Sequence, residues 1–249
     1  MHEPGSHLTA VPETRTIEVY RQIKRRILRL EMPPGSSLTE AELAAACGTS
    51  KTPVREALAH LQREALVEVV GRTGYRVTPI TLKQAKDLFG LRTVLEGEAA
   101  ALAATNGVAP EQLSHLEELS ESVYRPDSAS SVAEFLARNT ELHATIAVLS
   151  RNDRLAAVLH GVLEELERPF HVGLSLSHRA EAIVHEHTEL IEAIAARDVN
   201  AARRAAVVQC EASRVMVMDA LMSSDTLAQT SIVIPLRRDR GLEPQTVSS

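Results

Sequence analysis

Tryptophan is absent from this 249-residue chain, and Tyr20, Tyr75, Tyr124, Phe89, Phe135 and Phe170 are its only aromatic residues. A core without large rings must be filled with Leu, Val, Ile and Ala, a composition that favours helices over sheets. Cysteine is almost as scarce. Cys47 and Cys210 stand alone in helical-looking segments, so neither a disulfide framework nor a zinc-type spacing exists, and both read as packing residues. No run of eighteen apolar residues occurs and no charged-then-apolar leader opens the chain, so no membrane span is expected and the protein reads as soluble and cytoplasmic. HExxH pairs, a nucleophile elbow, a phosphate-binding Gly loop and paired catalytic carboxylates are missing as well. An enzyme remains the main rival class only because His, Asn and Glu fall on inward helix faces.

What is present is unevenly charged. The net charge is −6, yet residues 15–76 hold eleven Lys and Arg against seven Asp and Glu, a surplus of +4. Residues 81–249 hold sixteen against twenty-four, a balance of −8. The length suits two domains, and the asymmetry suggests a polyanion-binding unit attached to an acidic one.

Residues 1–14 are rich in Pro, Gly, Ser, Thr and His without periodicity and read as a flexible lead-in. From Ile17 to Leu30, Val19, Ile23, Ile27 and Leu30 recur at helical spacing, with Arg21, Lys24, Arg25 and Arg29 turned elsewhere. Met32-Pro33-Pro34-Gly35 ends that helix. Thr39 to Glu42 fits a capping box opening a second, short helix that Gly48 closes. Thr52 as N-cap and Pro53 at the first helical position start a third, running to about Glu64. Two short strands, Leu66 to Val70 and Tyr75 to Val77, flank Gly71-Arg72-Thr73-Gly74. Residues 15–78 are thus expected to form a winged helix-turn-helix. Its third helix would enter a DNA major groove, whose ~12 Å width admits one helix. Ser50, Lys51, Thr52 and Arg55 would then meet the DNA, with cations, hydroxyls and free backbone donors suited to phosphates, and Arg55 able to grip a guanine edge. Arg72 and Arg76 on the wing would reach the backbone or the minor groove.

Beyond Thr81 strand signals vanish. Amphipathic helices are expected at roughly 82–105, 110–124, 131–149, 152–170, 176–196 and 199–222, separated by Asn106-Gly107, Pro126-Asp127, Asn152-Asp153 and Arg197-Asp198. The fold class is therefore mainly α: an N-terminal winged helix-turn-helix followed by an all-helical bundle over residues 81–222. The polar tail, 223–249, is expected to be disordered.

The segment MPPGSSLTEAELAAACGTSKTPVREALAHLQREALVEVVGRTGYRVTPI resembles the GntR family of bacterial transcription regulators in its PG turn, its L-T-E-x-E-L-A stretch, S-x-T-P-V-R-E-A-L and its wing glycines. Lys51 stands where Arg is most common, keeping the charge but not the bidentate fork, which points to a phosphate contact. LFGLRTVLEGEAAALAA, NTELHATIAVLSRNDRL and HEHTELIEAIAARDVNAARRA resemble the all-helical FCD effector domain of the FadR-like branch. The resemblance implies a sequence-specific DNA-binding regulator and a homodimer on a two-fold operator in double-stranded DNA. It also implies a small organic acid as effector and a divalent metal, zinc or nickel, in the bundle. The implied metal ligands fall on Asn139, His143 and His187, with Gln209 where a third imidazole would stand. A neutral amide is a poor zinc ligand, so the resemblance leaves the metal open, and the two histidines read equally as hydrogen-bonded interior imidazoles. His185, two residues from His187, should face elsewhere, and Cys210 should turn away from the site. Arg92 shares a helical face with Leu88, Leu95 and Ala99. Buried there, it needs an anion, either an effector carboxylate or Glu96 one turn on.

Overall fold

The computed structural model describes residues 15–71, 74–176 and 180–223. The expected lead-in 1–14, Arg72 and nearly all of the expected tail lie outside the described residues.

The N-terminal part is built from α1 (Arg15–Leu28), β1 (Ser37–Thr39), α2 (Glu40–Ala46), α3 (Lys51–Arg63), β2 (Val67–Val70) and β3 (Gly74–Val77). Val19, Ile23 and Ile27 of α1 pack against Val54, Leu58 and Leu61 of α3, all essentially inaccessible. Thr39 caps α2 with a reciprocal pair of bonds: the Glu42 amide donates to Thr39 Oγ1 at 3.2 Å, and the Thr39 amide donates to Glu42 Oε2 at 3.1 Å. Between α2 and α3 the chain turns at Gly48, whose φ of +59° lies in the left-handed region open to glycine. Two expectations need correction. The N-cap of α3 is Ser50, not Thr52, so Pro53 occupies the third helical position. That costs nothing, because the first four amides of a helix have no intrahelical acceptor. The wing has three strands in the order β1-β3-β2, both pairings antiparallel, with Leu38 opposite Tyr75. Three residues of β1 are too few for an alternation signal to register.

The C-terminal part contains α4 (Leu82–Asn106), α5 (Pro110–Ser120), α6 (Ala129–Leu149), α7 (Asp153–Ser175), α8 (Ala180–Ala195) and α9 (Val199–Ser223). Helix α5 stops four residues short of expectation, and α7 runs five residues further, straight through Pro169. Proline inside a helix forfeits a hydrogen bond and costs about 3 kcal/mol. Burial of Phe170, Val172 and Leu174 beyond it holds the last turns in place. α4 and α9 pair along their lengths, and Gly97 lets them approach, since a Cβ there would stand 3.1 Å from Val207 Cγ2. Two apolar clusters fill the bundle. One, around Leu116, Leu142, Leu159 and Ile194, lies toward α5 and α8. The other, around Phe89, Phe135, Leu166 and Val217, also takes in Ile80 from the connection to the wing. Among the described residues no helix is long and apolar enough to cross a membrane.

Candidate functional site

At one end of the N-terminal part, the first turn of α3 presents Ser50, Lys51, Thr52 and Arg55 to solvent, while Val54, Ala57 and Leu58 fix the opposite face in the core. The turn before it is held from outside by Arg15, which donates to the carbonyls of Cys47 (2.8 Å) and Gly48 (3.2 Å). Arg55 is not free. Its Nε and Nη2 both donate to the Glu40 carboxylate at 2.8 Å, and these hydrogen bonds keep the Glu40 carboxyl below the usual carboxylate range. Glu40 lies fifteen residues away on another helix, and no local spacing announces the pair. On the wing, Arg76 is exposed, with its Nη1 3.7 Å from Glu68. Arg72 falls outside the described residues.

Inside the helical domain the expected effector residues are all buried: Arg92 on α4, Asn139 and His143 one turn apart on α6, His187 on α8 and Gln209 on α9. Arg92 Nε donates to Glu96 Oε1 at 2.6 Å. Its Nη2 lies 3.2 Å from His143 Nε2. A guanidinium has no acceptor, so His143 Nε2 accepts, and its Nδ1 then donates to Glu96 Oε2 at 3.1 Å. Cys210 contradicts expectation: it faces the site, its Sγ donating to the same Glu96 oxygen at 3.1 Å. Burial by itself would raise the Glu96 carboxyl, but the charge of Arg92 and the contact with His143 outweigh it and hold Glu96 far below the ordinary range. Burial and then the Glu96 carboxylate push the Cys210 thiol well up.

Around this pair several polar atoms have no protein partner: Arg92 Nη1, both nitrogens of His187, and both side-chain polar atoms of Gln209. The His187 ring lies edge-on to that of His143, with centroids 5.5 Å apart. Burial, then His143 and Arg92, depress His187 to about 3, so it is neutral near pH 7. The space beside Glu96 and His143 is otherwise walled by Ala and aliphatic side chains and is too narrow to admit a water molecule. His185, as expected, faces away, exposed beside Glu189.

As arranged, the site leaves no His143 nitrogen open to a divalent metal. Both His143 nitrogens are engaged, and the one nearest Arg92 faces a fixed cation at 3.2 Å. Among the described residues no three His, Cys, Asp or Glu side chains are grouped to hold an ion.

A helix-turn-helix with a three-stranded wing, joined to a helical domain that seals polar groups in its interior, defines a DNA-binding regulator with an attached sensing domain. Comparison with known proteins makes this specific. The model for bacterial regulatory proteins of the gntR family matches residues 16–77, and the FCD domain model matches residues 87–209. The chain belongs to the GntR family, in its FCD-bearing branch, and is a transcription regulator rather than an enzyme. It is 27% identical to the uncharacterized HTH-type transcriptional regulator YdhC of Bacillus subtilis, over 76% of this chain and 84% of that one. It is also 27% identical to the HTH-type transcriptional regulator McbR of Escherichia coli, over 76% and 86% respectively. The fold is similar to the solved E. coli McbR/YncC, with a TM-score of 0.70 at 22% identity, covering 83% of this chain and 98% of that one. A GntR regulator from Rhodococcus sp. RHA1 is similar with a TM-score of 0.66 at 24% identity, covering 84% and 99%.

Proposed function

We propose that the protein acts in the cytoplasm as a homodimer, reads a two-fold operator in double-stranded DNA with the first turn of α3, and responds to a small organic acid held in the helical domain. One recognition helix spans only a few base pairs, so two copies are needed to read a two-fold site. Lys51 serves as a phosphate contact and Arg55 as the base reader, with Ser50 and Thr52 adding hydroxyls and Arg72 and Arg76 of the wing holding the backbone. Glu40 then keeps the Arg55 fork extended until a guanine edge replaces it.

The effector reading is carried by one observation, the unpartnered polar atoms of Arg92, His187 and Gln209 around the buried pair. Leaving such groups unsatisfied costs about 1–3 kcal/mol each. A carboxylate accepting from Arg92 Nη1 and Gln209 Nε2, with a hydroxyl or carbonyl beside His187, supplies the missing partners, and Asn139 lies on the same wall as His143. Zinc or nickel is the second reading, favoured by the two free nitrogens of His187, but it requires Arg92 to withdraw from His143.

The test begins with an operator selected by the native protein from random duplexes. Its affinity is then measured against salt and with short hydroxy-, keto- and dicarboxylic acids. The expected result is that one acid shifts operator affinity, and that Gln209→Leu loses the shift while free-protein binding to the operator stays unchanged. An acid response that survives Gln209→Leu, or none with any acid, overturns the site.

A further inference from the structure

Helix α7 touches both the buried site and the foot of the recognition helix. On its inner side Phe170 packs edge-on to Phe89, with ring centroids 5.6 Å apart, and the Arg92 guanidinium lies 5.1 Å above the Phe170 ring. On its other side Arg168 is buried at 6% exposure with no carboxylate partner among the described residues, and burial depresses it to about 10. Its Nη1 donates to Thr78 Oγ1 at 3.2 Å and its Nη2 to the Thr78 carbonyl.

Thr78 is the residue after the wing, and it passes the contact on. Its Oγ1 donates to the Ala65 carbonyl at 2.7 Å, and its amide donates to the Leu66 carbonyl at 3.1 Å. Ala65 follows the C-cap of α3 and sits at φ +55°, a left-handed conformation unusual for alanine. A second bridge one turn earlier on α7 ends at the same place. Lys24 Nζ of α1 joins Glu164 at 3.1 Å to Glu64, the C-cap of α3, at 3.0 Å, and the Tyr20 hydroxyl donates to Glu64 at 2.5 Å. Both bridges therefore end on residues 64–66. Pro169 lies between Arg168 and Phe170, where the helix lacks one backbone bond and bends more easily.

We infer that residues 164–170 of α7 are the lever that couples the effector site to DNA reading. This rests on the effector reading above. A ligand that draws Arg92 off the Phe170 ring shifts this segment, and Arg168 and Glu164 carry the shift to the end of α3, tilting the helix whose other end meets DNA. The two sites are coupled only if the states they favour differ at these contacts.

The test needs no ligand, so its failure and that of the effector reading are distinguishable. Hydrogen exchange is followed in four full-length proteins: native, Arg92→Lys, Arg168→Met and the double variant. Arg92→Lys keeps a charge against Glu96 but shortens the reach to Phe170. Arg168→Met removes a buried cation that has no anion. Rates at the amides of Leu66 and Thr78 are taken relative to Leu113 in α5. Arg92→Lys should change them about fivefold or more, in line with typical coupling between sites, and should change them clearly less in the Arg168→Met background, where only the Glu164 bridge remains. The same change in both backgrounds, or no change from Arg92→Lys, overturns the lever. If Arg92→Lys does not fold, Phe170→Leu takes its place in the same cycle with the same criteria.

Discussion

Two arginine–glutamate pairs in this molecule meet at nearly the same distance and have opposite consequences. Arg55 and Glu40 meet at 2.8 Å with side-chain exposures of 66% and 17%, whereas Arg92 and Glu96 meet at 2.6 Å with exposures of 1% and 4%. In water the first pair adds little to stability and is easily exchanged for another acceptor, as the base contact proposed for Arg55 requires. In the core the second pair contributes little net stability as a unit, yet neither partner can be removed alone without stranding a charge. Solvent access, more than contact distance, decides whether such a pair is a switchable contact or a fixed part of the fold.

The largest effect should come from splitting the buried pair. Arg92→Ala leaves Glu96 with only His143 and Cys210, and we expect a loss of about 3–5 kcal/mol of stability in urea denaturation. Replacing both members, Arg92→Met with Glu96→Leu, should recover most of it. A single variant as stable as the native chain would mean that the pair is not sealed from water.

Acid should separate the two regions next. His187 has its folded pKa lowered to about 3 from an ordinary 6.5, so below pH 6.5 the unfolded chain takes up a proton that the folded chain refuses. The contribution is fully present above pH 6.5 and is lost as pH falls toward 3, at about 1.4 kcal/mol per pH unit. Urea titrations between pH 7 and pH 4 should show a shallower slope for His187→Leu than for the native chain. Equal slopes would show that His187 is hydrated.

At the exposed pair, Arg55→Ala should cost ~1–3 kcal/mol of operator binding and relax base preference, while changing folding stability by no more than about 0.5 kcal/mol. Retained affinity and specificity in a gel-shift competition would remove Arg55 from base reading. The smallest and most uniform effect belongs to Lys51→Ala, which should weaken operator and random DNA alike and lower the slope of log affinity against log salt by about one. A loss confined to the operator would instead make Lys51 a base reader.

Much of the N-terminal part was legible in the residues because its signals are local. The Thr39–Glu42 capping box, the glycine of the turn and the apolar periodicity of α1 and α3 each act within a few residues, and the structure repeats them. The buried face of α4 was legible in the same way, and Arg92 stood out on it as a charge needing an anion. Where the reading slipped, the deciding contacts were distant. α7 was expected to end at about residue 170, but packing of Val172 and Leu174 carried it on. Cys210 was expected to turn away because adjacent helical residues diverge by 100°, yet the cluster reaches it through Glu96, 114 positions earlier.

Sequence alone therefore determined where most helices lie, their buried faces, the charge asymmetry and the chemical types on the exposed first turn of α3, since propensity, capping and periodicity act over one or two turns. Tertiary structure alone decided which partner each buried or exposed charge takes. It set Glu40 against Arg55, split the claim on Arg92 in favour of Glu96 and His143, and brought Glu164 and Arg168 to the foot of α3 across 140 and 90 residues. A helical repeat specifies the face on which a side chain lies, whereas its partner depends on how whole helices pack.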